Sequence, residues 1–489
     1  MLHYAEFPWL TTLLLILLVG SIAIAFSPEK KARYIALATS LVTLIASIFI
    51  LIGFDSDLSG FQYVEKLTWI SSLNIHYLLG IDGLSILFLP ATALLFSFVI
   101  LSSWNSIQTL KRSYFSLILL LELAILGVFI ALDTINFLLF WELTLIPLFF
   151  LLSLWGVGAN RRYAGLKYAL FMISGGLPIF IAFVLLAVQK DGSLIFDYTE
   201  LLQVSKNNVN QSIIFFLLLF GFGVKVPLFP MHTWLPELAM EGHPGTIAII
   251  VGLKLGAYGL LRFTLPLAPD AAHNFQWLLI ALGTVSVIYG AIAALSQTNI
   301  RRMLAFSSLS HIGLVVLGMA TFSMQGVQGA VFQLLNFTLF SAGLFFLAGF
   351  ILQRTGSTDV ISLGGVAKTM PLLSSFFFFL GLANMGVPGT NSFPAEFLII
   401  VSIFEHYAGV GLAILFSIIL GAAYFLGIYR KSFFGECKHE VIADAVDLKA
   451  RELLIVATIS GIVLILGLFP QLVLDVIHKS AEFWLAGIK

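Results

Sequence analysis

The sequence is short of charge. Only 10% of its 489 residues are Asp, Glu, Lys or Arg, against roughly 25% in a soluble domain. That leaves no room for a sizeable water-exposed domain. The formal net charge is zero, so nothing favours nucleic acid or an acidic partner. With one cysteine, Cys437, a disulfide framework and a cysteine-ligated cluster are both excluded. No phosphate-binding GK(S/T) loop is present, and GFGVKVP is not a G-x-G-x-x-G turn after a strand. The nine histidines offer no clear pair of haem ligands facing across two helices. No lysine or arginine precedes the first apolar run, 9–26. That run is long enough to span a membrane, so it is expected to stay as a helix rather than be removed as a signal. An Arg- and Ser-rich transit peptide is likewise not expected.

What fills the chain is apolar sequence. Hydrophobic residues make up 60%, and the mean hydropathy is +1.04. A spanning helix needs about 20 apolar residues. Runs of that kind fall near 9–26, 34–53, 83–101, 115–132, 134–155, 164–188, 212–232, 244–263, 274–296, 300–320, 327–352, 373–403, 410–430 and 452–469. The expectation is an all-α polytopic membrane protein with about 14 transmembrane helices. The runs are too long and too uniformly apolar for barrel strands. The more polar stretch 55–82 is expected outside the bilayer.

Charge in the loops orients the bundle. Seventeen of the 25 lysines and arginines, among them Arg161, Arg301, Arg354 and Lys438, lie in or beside loops that follow odd-numbered spans. The other side holds Lys66, Lys190, Lys206, Arg262, Lys479 and Lys489. By the positive-inside rule the first group faces the cytoplasm or a mitochondrial matrix, and both termini face away from it.

Lys225 and Lys254 are the two lysines within spans that do not lie in or beside a loop, and a lysine at the bilayer centre costs roughly 2.5–3.5 kcal/mol. Carboxylates occur at depth too: Glu122 in LLLELAILG, Glu142 in LLFWELTLIPLFF and Glu396 in GVPGTNSFPAEFLII. His311 sits in SSLSHIGLVVLG. A single buried charge can be static glue between helices. A set spread over spans 5, 7, 8, 10 and 12 points instead to a proton or ion path. Span 7 is interrupted by KVPLFP, with His232 just beyond, and span 12 by GVPGTNSFP; each break carries an ionisable group. Five spans separate the breaks. Spans 4–8 and 9–13 therefore read as two five-helix units, inverted because the unit is odd-numbered, with broken helices 7 and 12. The expected divisions are 1–114, 115–263, 274–430, and 431–489 as loop, helix 14 and tail.

The stretches GVKVPLFPMHTWLPE, LLFWELTLIPLFFLLSLWG, IVGLKLGAYGLLRF, RRMLAFSSLSHIGLVVLGM and ANMGVPGTNSFPAEFLI resemble the antiporter-like subunits of NADH–quinone oxidoreductase, respiratory complex I. The likeness is to the subunit M group and its mitochondrial counterpart, NADH dehydrogenase subunit 4, and runs from about residue 60 to residue 470. FQYVEKLTWISSLNIHYLLGIDGLS looks most like mitochondrial versions, and the 46 phenylalanines fit an AT-rich organellar genome. The resemblance implies a proton-pumping subunit of the mitochondrial inner membrane, or alternatively of a bacterial cytoplasmic membrane. It implies roles for Glu142 and Lys225 as the pair controlling a half-channel, Lys254 and His311 as connectors, and Glu396 as the terminal proton site. Glu122, His232 and Asn336 are secondary candidates. Asn336 stands where many relatives have a histidine, and Pro394 is unusual before the glutamate. No cofactor or metal is implied in this chain; NADH, FMN, iron–sulfur clusters and quinone belong to other subunits. The implied partners are other membrane subunits, especially neighbouring antiporter-like ones, and lipids, with no nucleic acid. A multisubunit sodium/proton antiporter subunit and an inert scaffold are the competing readings, and the buried charges oppose the scaffold.

Overall fold

The computed structural model describes residues 2–189, 192–437 and 439–488. Lys190, Lys438 and Lys489, used in the charge pattern, lie outside the described residues. Among those described, 11 helices are long and apolar enough to cross a membrane: α1 (Trp9–Phe26), α2 (Glu29–Ile52), α4 (Lys111–Ile130), α5 (Thr134–Trp155), α6 (Arg161–Ala187), α9 (Pro244–Thr264), α10 (Gln276–Leu295), α11 (Ile300–Ala320), α12 (Met324–Thr355), α15 (Ala408–Phe433) and α16 (Ala450–Leu468). Between them lie shorter helices: α3 (Phe88–Ser102), α7 (Gln211–Lys225), α8 (Trp234–Glu241), α13 (Pro371–Asn384) and α14 (Ser392–His406). A last helix, α17 (Gln471–Ile488), follows α16. Each of the 11 long helices falls on an apolar run read from the sequence.

Two expectations need correction. The chain is mostly helical but not all-α. β2 (Phe61–Ile70) and β3 (Ile75–Ile81) pair antiparallel, and β1 (Leu2–Tyr4) lies parallel to β2. The stretch is rich in β-branched and aromatic residues, and its turn uses Asn74 at φ 54°, a left-handed conformation that asparagine tolerates. The sheet buries Val64, Leu78 and Leu79 against the bundle and exposes Leu67 and Trp69.

The second correction is the tail, which is helix α17. It buries Val473, Ile477, Ser480, Ala481, Trp484, Leu485 and Ile488, the one-stripe spacing of an amphipathic helix. Its polar face, with Asp475, His478 and Glu482 exposed, kept it out of a search for unbroken apolar runs.

Helix α9 carries a feature that its sequence did not announce. It opens at Leu253–Lys254 and finishes in a π turn, Leu260–Thr264. A π turn displaces the regular ladder of backbone bonds. Here Trp484 Nε1 of α17 donates to Leu261 O at 2.7 Å. The same turn presents Arg262, read from the sequence as a loop cation. It is instead buried in a two-pronged pair with Asp82, at 2.7 Å (Nη1–Oδ2) and 2.5 Å (Nη2–Oδ1). Its Nε donates to Tyr258 Oη at 3.2 Å, and that hydroxyl donates to Phe129 O at 3.1 Å. The π turn thus ties α9 to α4, to the segment after β3 and to α17.

The loops gather at two ends, as the charge pattern requires. Leu2, Phe61, Tyr198, Arg262 and Gly487 line one cavity, so β1 and the last turn of α17 share an end. Trp155, Arg161, His243, Arg301 and Gln353 line another. His243 precedes a helix of 21 residues and Arg262 lies in its last turn; at 1.5 Å per residue that helix is roughly 30 Å long, so the two cavities mark opposite ends.

Arg262→Met strands the Asp82 carboxylate and is expected to destabilise the protein by about 3–5 kcal/mol. The double variant Asp82→Leu/Arg262→Met should recover most of that loss. Thermal denaturation of the four proteins in detergent checks this, and a double variant as unstable as the single would refute it.

Candidate proton-path site

The candidate residues fall into two clusters at the two broken segments. The first begins in α5, where the helix loosens at Thr144. The Thr144 hydroxyl donates to Trp141 O at 2.7 Å and accepts from Lys225 Nζ at 2.8 Å. Lys225 is the last residue of α7, and its ammonium also lies 3.9 Å from the centre of the Trp141 ring, a cation–π contact. Among the described residues no ion pair joins Glu142 and Lys225 within 4 Å. They remain close enough to interact electrostatically. Glu142 turns toward α6, where a Cβ on Gly176 would fall 2.0 Å from its Oε1. Glycine is what admits the carboxylate there. A hydroxyl and an aromatic face hold the lysine while the carboxylate stands aside, so Glu142 acts on Lys225 through the field rather than by contact.

Lys254 connects this cluster to the next. It sits at the opening of α9, and its Nζ donates to Ser308 Oγ of α11 at 2.6 Å. The helix just after it packs on the end of α7: a Cβ on Gly256 would fall 2.6 Å from Val226 N. Small residues of this kind let membrane helices approach closely.

His311 lies three residues beyond Ser308 on the same helix. Its Nδ1 is 3.2 Å from Glu396 Oε1, an ion pair when the imidazole is protonated. Gln333 Nε2 of α12 donates to the same oxygen at 3.0 Å. Glu396 Oε2 lies where a Cβ on Gly386 would come within 2.3 Å. Gly386 has φ +67°, so the left-handed turn of the break and the seat of the carboxylate both call for glycine. Pro394 and Glu396 share α14. The proline falls in the first turn of α14, where backbone N–H groups have no intrahelical acceptor to lose.

Asn336 is fully buried, and its amide is hydrogen-bonded to protein. Nδ2 donates to Gln333 Oε1 at 3.0 Å and to Asn391 O at 2.9 Å, while Oδ1 accepts from Asn391 Nδ2 at 2.7 Å. Asn391 immediately precedes α14, so Asn336 clamps the break that carries Glu396. The neighbouring Phe337 occupies the gap instead. Its ring centre is 5.3 Å from Lys254 Nζ and 6.2 Å from the His311 ring.

Two secondary candidates lie apart. Glu122 is fully buried in α4 and accepts from Ser40 Oγ of α2 at 3.3 Å, with Ser97 behind it at 3.1 Å. His232, between α7 and α8, packs its ring against Phe229, Tyr289 and Phe306. Thr144, Ser308, Gln333 and Asn391 escaped the sequence reading because they do not titrate. Their signal was spacing: each sits within a few residues of a candidate, on one face of a helix or at a break. Among the described residues no group of three His, Cys, Asp or Glu side chains could hold a metal ion.

Buried lysines and carboxylates at interrupted helices of a polytopic bundle define an antiporter-like membrane protein. The chain belongs to the family described as NADH:quinone oxidoreductase/Mrp antiporter, transmembrane, which matches residues 131–421. It is 35% identical over 464 residues to NADH-quinone oxidoreductase subunit M of Rhodobacter capsulatus, covering 92% of this chain and 90% of that one. It is 34% identical over 478 residues to NADH-ubiquinone oxidoreductase chain 4 of Marchantia polymorpha, covering 97% and 96%. Among solved structures it superposes on a chain of respiratory complex I from Thermus thermophilus with bound NADH, at TM-score 0.90 and 28% identity over 98% of this chain and 100% of that one.

Asn336→Leu leaves the Asn391 amide and Gln333 Oε1 buried without partners, each at about 1–3 kcal/mol. Asn336→His, with one donor and one acceptor when neutral, cannot restore all three bonds. Both variants are expected to lower the melting temperature of the assembled protein. An unchanged melting temperature for Asn336→Leu would dismiss the clamp.

Proposed function

We propose that this chain is the proton-translocating, antiporter-like subunit of a respiratory NADH:quinone oxidoreductase, the counterpart of subunit M or chain 4. The observation that carries this reading is the pairing of a helix break with an ionisable group, twice: Lys225 at the end of α7 and Glu396 just past the break between α13 and α14. The proposed arrangement is 14 spans. Residues 115–263 and 274–430 form two inverted five-helix units, each contributing one broken helix.

The proposed mechanism is a switch of charges. Desolvation favours a neutral lysine and a nearby carboxylate favours the ammonium. Glu142 therefore holds the proton on Lys225 when charged and weakens that hold when neutralised or displaced. The proton then passes by way of Lys254 and Ser308 to His311 and Glu396, through water where side chains do not meet. Moving one charge against 100 mV costs roughly 2.3 kcal/mol. Electron transfer from NADH to quinone supplies that work through FMN and iron–sulfur clusters in other subunits; this chain carries no redox centre. Neighbouring antiporter-like subunits and lipids are its partners. We assign it to the mitochondrial inner membrane on its likeness to mitochondrial sequences, with the bacterial cytoplasmic membrane as the alternative. A sodium/proton antiporter subunit is the second reading, since the family description spans both. Flavin and iron–sulfur subunits co-purifying with the chain decide for the respiratory reading; their absence from an intact complex decides for the antiporter.

Lys225→Ala is expected to abolish proton pumping while the complex still assembles. Lys225→Arg should also lose most pumping, because arginine stays charged at any usable pH. Acidification of sealed vesicles on NADH addition is the readout, with subunit levels as control. Wild-type acidification at normal subunit levels would end the proposed role of Lys225.

A further inference from the structure

The end of the molecule that the charge pattern assigns to the cytoplasm or matrix holds a cavity of ≈ 620 Å³. It is lined by Gln108 and Thr109 after α3, Arg161 at the start of α6, His243 before α9, Arg301 in the first turn of α11, and Gln353 of α12. Three helix N-termini, those of α6, α9 and α11, therefore converge on one space, and each brings the positive end of its dipole. The last turns of α5 and α12, at Trp155 and Gln353, close the wall with two opposing ends.

The second observation is independent of the helices. Arg301 is only 5% exposed, and its Nη1 is buried with no protein hydrogen-bond partner. Its Nε is taken by Thr358 Oγ1 at 3.3 Å. Glu241 and Asp359 attract it from a distance but are engaged elsewhere. Glu241 Oε2 accepts from Asn160 N at 2.8 Å and Asp359 Oδ1 from Asn299 Nδ2 at 2.6 Å. Burial, then the Arg301 charge, push the His243 imidazole down to about 4, so it is neutral near pH 7. Its Nδ1 already accepts from Gly245 N. A buried guanidinium with an unmet donor, beside a second arginine and three N-termini, asks for an oxyanion.

We propose that this cavity binds a phosphate group, held by Arg301 and Arg161. The ligand is an anionic phospholipid headgroup or free phosphate. Leu154 and Val157, 45% and 46% exposed at the rim, offer an acyl chain an apolar path into the bilayer, which favours the lipid.

The test uses the purified intact complex, delipidated and then exposed to phosphatidylglycerol vesicles, to phosphatidylcholine vesicles, or to inorganic phosphate alone. Bound lipid is read by native mass spectrometry and phosphate by radiolabel. Arg301→Gln and Arg161→Gln remove donors, and Thr109→Trp fills the mouth without changing charge. Phosphatidylglycerol retention is expected to fall about tenfold in each arginine variant, the loss of one charge-assisted contact, and to fall in Thr109→Trp because the headgroup is blocked, while phosphatidylcholine stays weak throughout. Binding of inorganic phosphate that the same variants remove assigns the site to free phosphate and upholds the phosphate chemistry. Should Arg301→Gln fail to assemble, the other two variants decide. Phosphatidylglycerol retention unchanged in Arg161→Gln and Thr109→Trp, or phosphatidylcholine held as well as phosphatidylglycerol, overturns the proposal. Pumping by Thr109→Trp is measured alongside and is expected to match wild type, which separates this site from the proton path.

Discussion

Inside a bilayer a backbone N–H or C=O has no water to fall back on, and every interruption of a helix must be repaired by something else in the protein. That constraint governs this molecule. Its working groups need breaks, because a charge needs polar company. Each break therefore comes with a side chain that closes it. The Asn336–Asn391 amide pair closes the gap before α14, binding backbone and side chain together. The Trp484 indole meets Leu261 O in the π turn of α9. Thr144 meets both Trp141 O and the lysine that the loosened helix admits.

The repairs also set the electrostatics. Lys225 and Lys254 each meet a hydroxyl, not a carboxylate, as their hydrogen-bond partner. A hydroxyl accepts from an ammonium and also serves a neutral amine, so neither protonation state is locked. Arg262 is the contrast. Its two-pronged pair with Asp82, stacked among Phe61, Tyr198 and Tyr258, is built to stay charged and in place. The chain thus separates buried charges that can change from one that holds the end of the bundle together.

Much of the architecture was legible in the sequence. Apolar runs mark the helices because the bilayer imposes their length, and Lys225 and Glu396 stood out because prolines and glycines flanked them. The hairpin was harder to see: in a chain this apolar, β2 and β3 differ from a short span only in their β-branched and aromatic content. Helix α17 escaped because its polar face broke the run, though its buried residues keep helical spacing. Arg262 looked like a loop charge because its partner, Asp82, lies 180 residues away. The partners of Asn336 were not legible: α12 turns it toward Asn391 and leaves Phe337 facing Lys254 and His311. Register around a helix decides that, and the π turn at Phe337–Ser341 shifts the register there.

The bond from Trp484 to Leu261 spans 223 residues of chain. During synthesis, α9 enters the membrane long before α17 exists. Until then Leu261 O lacks its donor, and the end of the bundle near Arg262 stands open. The last helix acts as a latch on an earlier one. A ribosome that stops short of residue 484 releases a chain with nearly every span in place and an unsealed end, a defect that quality control can recognise in a protein otherwise threaded through its membrane.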